Sequence, residues 1–317
     1  MCDTFTETYF FLSSRGGRIM RIEAFILVFI SVFMHAAWNF MSKKDSPSSA
    51  FYLLAAAAGG VVWTGALFFC QVDITALPWK FWMFFLISNC FEVLYFLALS
   101  NGYKKGDISL VYPLGRALPV ILIAVVTSLF GIGKTPTVLA LSGMAVIFAG
   151  CIIMPLENWK SFKISIYCNK LLFWVLMIGI GTTGYTIFDS MAMNILNDVA
   201  GRNPLLKTIF YIFIVQMALA VTLAVPVFSS RESRKELQLI CKSYSPYVAG
   251  IFSASAYVLI LLAMKFVDNV SYIQAFRQMS LPLGVLAGIF ILKEKCSQPK
   301  MVGIILVVGG LIMTSIK

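Results

Sequence analysis

The chain has 317 residues, of which 60% are hydrophobic and only 12% charged. A soluble domain is roughly 45–50% apolar and about 25% charged. This chain therefore lacks the polar residues to cover a water-soluble globule, and a soluble protein, a disordered chain and a disulfide-rich secreted domain are excluded. The net charge of +11 comes from 25 Lys+Arg against 14 Asp+Glu, and it lies in short gaps between apolar runs with no basic tract. It reads as headgroup-contacting flanks of membrane spans, not as a nucleic-acid surface. The seven cysteines form no CxxC and His35 is the only histidine, so ligands for zinc, haem or an iron–sulfur cluster are lacking and no metal or other cofactor is expected.

Taken in chain order, residues 1–19 lack the basic, apolar and cleavage regions of a signal peptide. They read as a tail upstream of a natural start at Met20. A membrane helix needs about 20 mostly apolar residues, and ten such runs follow. The first, 24–42, carries Ser31, His35 and Asn39, with His35 and Asn39 one turn apart. A lone histidine is more often a structural hydrogen-bonding residue than a proton relay. The second, 46–72, holds Gly59-Gly60, suited to close helix contact. The third, 81–103, is interrupted by Glu92, and the fourth, 108–133, by Arg116. On the fourth, Ser109, Tyr112 and Arg116 share one face, while Pro113 and Pro119 are expected to bend it. The fifth is 135–156.

A connection at 156–170 leads to the sixth run, 171–197, which carries Asp189 with Tyr185 and Thr182 on the same side and Gly179, Gly181 and Gly184 for close packing. Runs seven and eight, 208–230 and 243–264, are free of charge; the stretch 229–245 between them has room for a short surface helix. The ninth, 269–292, places Ser271, Gln274 and Arg277 on a common face ahead of Pro282, and the tenth is 301–316. Continuous runs of this length are helices, because every backbone polar group must be satisfied inside the bilayer. A β-barrel would show short alternating segments instead.

The chain also repeats itself. Tyr95 and Tyr257, Ser109 and Ser271, Arg116 and Arg277, Gly143 and Gly303, Gly150 and Gly310 fall in register. Five spans per half invert the second half relative to the first, an arrangement found in secondary transporters with a midplane site. Ionisable residues inside a bilayer are costly and mark functional sites by default. Glu92, Arg116, Asp189 and Arg277 have two readings: structural ion pairs between helices, or a cavity in which arginine binds an anionic group in bidentate fashion. No hydrolytic constellation, nucleotide loop or ATP-binding domain is present, so the chain is not expected to be an enzyme.

The strings HAAWNFMSKK (35–44), GDISLVYPLGRALP (106–119), GYTIFDS (184–190) and FRQMSLPLGVLAGIFILKEK (276–295) resemble the drug/metabolite transporter superfamily, its EamA-like branch above all. The likeness covers nearly all of 20–317. It implies an all-α membrane protein of ten helices as two inverted five-helix repeats, 20–155 and 171–317, joined by 156–170 around a central cavity. His35, Trp38, Asn39, Tyr112, Arg116, Asp189 and Arg277 fall on its motif positions. One departure is Gly131-Ile132-Gly133-Lys134, where the second half has Lys-Glu. The resemblance also implies a bacterial-type inner membrane with both termini cytoplasmic. Lys and Arg run the other way: nine on the cytoplasmic side of that arrangement against fourteen opposite.

These observations together predict a secondary transporter of a small anionic or zwitterionic metabolite working by alternating access. Arg116 and Arg277 would hold the anion, Tyr112 and Gln274 would orient it, with Trp38 and Asn39 nearby. A coupling proton would ride on Asp189 or His35. Two alternatives stay open: an exporter of lipophilic cations, in which Glu92 and Asp189 matter most, and a non-transporting accessory subunit in which the four charges pair. Substrate identity, direction and oligomeric state are not legible in the sequence.

Overall fold

A computed structural model describes residues 21–44, 48–70, 72–105, 108–159, 170–199, 203–283 and 297–316. The expected tail 1–19 and most of the 156–170 connection lie outside them. Among the described residues the fold is all-helical, with eleven α-helices. These are α1 (Ile22–Lys44), α2 (Ser49–Cys70), α3 (Trp79–Lys105), α4 (Ile108–Leu129), α5 (Val138–Ile153), α6 (Lys170–Asp198), α7 (Pro204–Ser229), α8 (Arg231–Ile240), α9 (Ser245–Met264), α10 (Val270–Arg277) and α11 (Gln298–Ser315).

Seven of them, α1, α2, α3, α6, α7, α9 and α11, are long and apolar enough to cross a membrane. The runs at 108–133 and 135–156 give shorter apolar stretches, Pro113–Leu129 and Val138–Ile153. Of the run at 269–292, residues 284–292 lie outside the described residues, and the described part is not one continuous helix. Its helix α10 has eight residues, then a turn at 278–279 before helix resumes at 280–283. Pro282 has no N–H to give to the carbonyl of Gln278, and its ring crowds that carbonyl, so the helical ladder breaks one residue beyond Arg277. Pro113 and Pro119, by contrast, lie inside an uninterrupted α4. The outward faces carry Phe33, Phe68, Phe69, Val221, Val225 and Ile305, all exposed. An exposed surface this apolar fits hydrocarbon, not water.

The helix starts follow the local sequence. Thr137, Asn203, Ser230, Asn269 and Ser297 each accept a backbone N–H in the first turn of α5, α7, α8, α10 and α11, the usual role of short polar side chains at an N-cap. Pro204 and Pro299 stand in the first turns of α7 and α11, where a missing N–H costs nothing. The buried Lys207 donates from Nζ to the carbonyls of Asn197 (2.9 Å) and Val199, satisfying the C-terminal end of α6.

Asn269 does more than cap. Its Nδ2 donates to the carbonyls of Ile132 and Lys134, 3.2 and 3.1 Å away, tying the start of α10 to the α4–α5 turn. That turn needs φ of +64° at Gly131 and +74° at Gly133, a backbone region glycine enters freely. The Gly-Ile-Gly-Lys departure from the second half's Lys-Glu thus encodes a docking turn.

The principal helix contacts are α3 with α6, α5 with α11, α2 with α7, α1 with α9 and α2 with α9, while α4 meets α6, α5 and α10. Small residues set the closest approaches. A methyl built on Gly143 would lie 2.7 Å from the carbonyl oxygen of Gly310, and one on Gly303 would lie 2.9 Å from that of Gly150. Membrane helices associate through such small-residue seams. Gly143→Val is accordingly expected to lower the thermal midpoint of the detergent-purified protein by the equivalent of about 1–3 kcal/mol. Gly309→Val, where a methyl meets nothing within 4 Å, should leave the midpoint unchanged.

Candidate functional site

A small cavity of about 30 Å³ lies between α1, α3, α4, α6 and α10. Its wall includes His35 and Trp38 from α1, Tyr95 from α3, Arg116 from α4, Thr182 and Tyr185 from α6, and Gln274 and Arg277 from α10. Helical spacing explains the convergence. His35 and Trp38 are three residues apart, as are Thr182 and Tyr185, and Gln274 and Arg277, so each pair shares a helix face.

The α1 contribution has a defined tautomer. Trp38 Nε1 donates to His35 Nδ1 at 2.8 Å, so Nδ1 is an acceptor and the proton of the neutral ring belongs on Nε2. His35 Nε2 is buried and has no hydrogen-bond partner among the described residues. Asn39, expected beside it, turns away: its Nδ2 donates to the His35 carbonyl at 2.6 Å, and it is not part of the cavity wall.

The arginines belong to the α4–α10 crossing. Arg277 is 6% exposed. Its Nη1 donates to Gln274 Oε1 at 3.3 Å, while its Nε is buried without a partner among the described residues. The helix break just beyond Arg277 frees its carbonyl, which receives Ser280 Oγ at 3.0 Å and Arg116 Nη2 at 3.5 Å. Gln278 closes the crossing by donating to the Arg116 carbonyl at 3.1 Å. Two guanidinium groups from opposite halves of the chain therefore border one cavity with His35. Pro113 and Pro119 are buried on α4, and Pro282 is buried beyond the break. The side chain of Tyr112 lies outside the described residues.

The acids form a second cluster beside this cavity. Asp189 is 1% exposed. Its carboxylate accepts from three hydroxyls on three helices: Ser88 of α3, Tyr211 of α7 (2.7 Å) and Tyr257 of α9. Glu92 lies one turn beyond Ser88 on α3, within electrostatic reach of Asp189, and its Oε2 is buried without a partner among the described residues. Tyr185 joins the two regions, standing in the cavity wall with its ring 5.9 Å from that of Tyr257.

Ion pairing of the intramembrane acids with the arginines is not what this arrangement provides. Among the described residues the ion pairs are Lys104–Glu236 at 3.1 Å and Lys134–Asp268 at 3.3 Å, both at the surface. Hydroxyl donors take the place at Asp189 that arginine fills in the ion-pair reading, because Ser and Tyr can satisfy a carboxylate without bringing a second charge into an apolar interior.

The structure thus brings together His35, Trp38, Arg116, Gln274 and Arg277, and sets Asp189 and Glu92 apart from them. Tyr211 and Ser88 carry no sequence mark beyond being polar residues inside apolar runs. Tyr257 stands out only through its register with Tyr95. Among the described residues no group of three or more His, Cys, Asp or Glu side chains is placed to hold a metal ion.

No protein-family model matches the chain, and no curated protein matches it. Solved structures do. One, described only as the crystal structure of a protein, is similar with a TM-score of 0.64 and 15% identity, over 92% of this chain and 96% of that one. At that identity the likeness speaks for the fold alone: the helical arrangement described above is one that another chain of similar size adopts.

Proposed function

We propose that the chain is a secondary, ATP-independent transporter of a small anionic or zwitterionic metabolite, with ten spans in two inverted repeats of the EamA-like kind. The observation that carries this reading is the pair of buried donors at one cavity, Arg277 Nε and His35 Nε2, that have no partner among the described residues. Buried donors are hydrogen-bonded in nearly all folded proteins, so donors left open beside two guanidinium groups call for an acceptor-rich, negatively charged occupant. Carboxylate, phosphonate and phosphate groups match that need.

The packing pattern supports the inverted repeat. Numbering the spans 1 to 10, the contacts α1–α9 and α3–α6 are spans 1–8 and 3–6, which exchange under a swap of the halves. Spans 2–7, 4–9 and 5–10 map onto themselves. The site then lies where the halves meet, and the interrupted helix beside Arg277 has counterparts in transporters whose discontinuous helices frame a midplane site. Rocking of one half against the other around the arginines would expose them to each side in turn, in the bacterial-type inner membrane that the motif resemblance implies.

A thermal-shift screen of the detergent-purified protein tests this. Phosphonates, organic acids and amino acids form one panel and lipophilic cations the other. A ligand that binds only the folded state raises its apparent stability by mass action. The expected result is a stabilising anion whose effect vanishes in Arg277→Gln. Stabilisation by lipophilic cations alone, lost on neutralising Asp189, would overturn the anion reading.

A further inference from the structure

We propose that the seam between the α4–α5 turn and the start of α10 is a gate that closes one side of the cavity, with Asn269 as its latch and α10 as the lever that ties it to Arg277. The bonds of this seam join the first half of the chain to the second. Asn269 Nδ2 donates to the carbonyls of Ile132 (3.2 Å) and Lys134 (3.1 Å). The same side chain meets Thr127 Oγ1 through Nδ2 at 3.1 Å and through Oδ1 at 3.2 Å. The Lys134 N–H donates to the Asp268 carbonyl at 3.0 Å, and the Lys134 ammonium pairs with the Asp268 carboxylate at 3.3 Å.

The seam stands between solvent and the arginines. α4 and α10 are pinned to each other at two levels: Arg116 against Arg277 and Gln278 at the cavity, and Thr127 against Asn269 at the seam. The step from Arg116 to Thr127 along the uninterrupted α4 is about 16 Å, and that from Asn269 to Gln278 is about 14 Å, at 1.5 Å per residue. The two helices therefore run antiparallel between the two pins. On the outer side of the seam, the Lys134 and Asp268 side chains are 79% and 47% exposed. On the inner side, Thr127, Asn269 and every residue of α10 are buried.

Three features suit this seam to opening. Its contacts are polar, and water can replace each of them at small net cost, unlike the glycine-to-backbone packing of α5 on α11. The α4–α5 turn bends on Gly131 and Gly133, and Gly131 has open space around it. α10 is short, and the break at 278–279 ends it on the cavity side. It can tilt as one piece, with the φ/ψ change absorbed at its two ends as in other hinged elements. Arg277 is the last residue of that piece, so release of Asn269 displaces the guanidinium. This coupling rests on the reading of two halves that rock about an arginine site; the seal itself does not.

The test uses the full chain in detergent carrying Ser271→Cys, with no candidate substrate present. Ser271 is fully buried on α10, between the latch and the cavity wall. A water-soluble maleimide reaches a cysteine there when the seam opens, and peptide mass reads the label beside that on the buried Cys151, which stays unlabelled in a folded protein. Labelling should be slow with Asn269 in place. It should quicken about tenfold or more in Asn269→Ala, which removes the bonds to Ile132, Lys134 and Thr127, and about threefold to tenfold in Thr127→Val, which removes one of them. Thr127→Val keeps the Asn269 cap and the docked turn, so it decides the matter if Asn269→Ala also exposes Cys151. Fast labelling with Asn269 and Thr127 both present shows that there is no seal and overturns the proposal. So does a rate unchanged in Thr127→Val, the mark of a static clamp. A silent anion screen leaves a positive labelling result standing, and a static clamp leaves the anion site standing.

Discussion

Arg277→Gln is expected to raise the melting temperature of the anion-free protein by the equivalent of about 1–3 kcal/mol, even as it abolishes the response to anions. The guanidinium is buried, and among the described residues its Nε lacks a partner and its one side-chain bond is to the neutral Gln274. Arg116 Nη2 reaches the backbone carbonyl of Arg277 itself, so a second positive charge stands close by. Holding an under-compensated charge out of water costs several kcal/mol, and a neutral residue of similar reach removes that cost. Glutamine can still bond to Gln274 and leaves the α4–α10 crossing intact, because Gln278 and Ser280 bond there to backbone carbonyls and not to the arginine head. Differential scanning calorimetry of the two proteins without added anion reads the effect directly. A lower melting temperature in Arg277→Gln would show that the arginine is a structural keystone and would remove the argument that its open donors await a substrate.

Asp189→Val should act in the opposite direction and lower stability by about 2–5 kcal/mol. Three hydroxyls from α3, α7 and α9 converge on this carboxylate, so its removal strands three buried donors at once. Hydrogen bonds between membrane helices average about 0.6 kcal/mol with a maximum near 1.7, and a stranded buried donor costs about 1–3. Tyr257→Phe removes one of the three and should cost correspondingly less. The Tyr211→Phe and Tyr257→Phe effects should be non-additive in a double-mutant cycle, since both act through one carboxylate. Thermal unfolding of each variant in the same detergent measures all of these. A drop under 1 kcal/mol for Asp189→Val would mean that the cluster does not hold the four helices together.

Much of this was legible in the residues. Composition required an all-helical protein, and run length located the seven helices long and apolar enough to span a membrane. The i, i+3 spacings of His35 with Trp38 and Gln274 with Arg277 put the right side chains on shared faces. Register between the halves aligned Arg116 with Arg277, which border one cavity, and marked the glycines that meet crosswise, Gly143 with Gly310 and Gly150 with Gly303. Local pattern was less informative where a single residue changed the backbone. Pro282 reads as a bend, but removal of one N–H donor at that point broke the helix beside Arg277. Asn39 reads as a wall residue because it lies one turn from His35, yet its short amide reaches its own backbone first.

Residue order carries the inventory and its one-dimensional spacing: apolar runs of membrane length, four charges within them, and glycine seams at a fixed interval. These follow from helix geometry and the cost of unsatisfied backbone in hydrocarbon, both of which act locally. The pairing of those charges was decided by tertiary structure alone. Two arginines and two acids could have neutralised each other. The packing of α3 on α6, with Tyr211 and Tyr257 brought in from α7 and α9, gives Asp189 hydroxyl partners instead. The crossing of α4 and α10 gathers the arginines at a separate cavity. Partner choice among buried polar groups depends on which atoms come within about 3 Å, a distance that spacing along the chain does not contain.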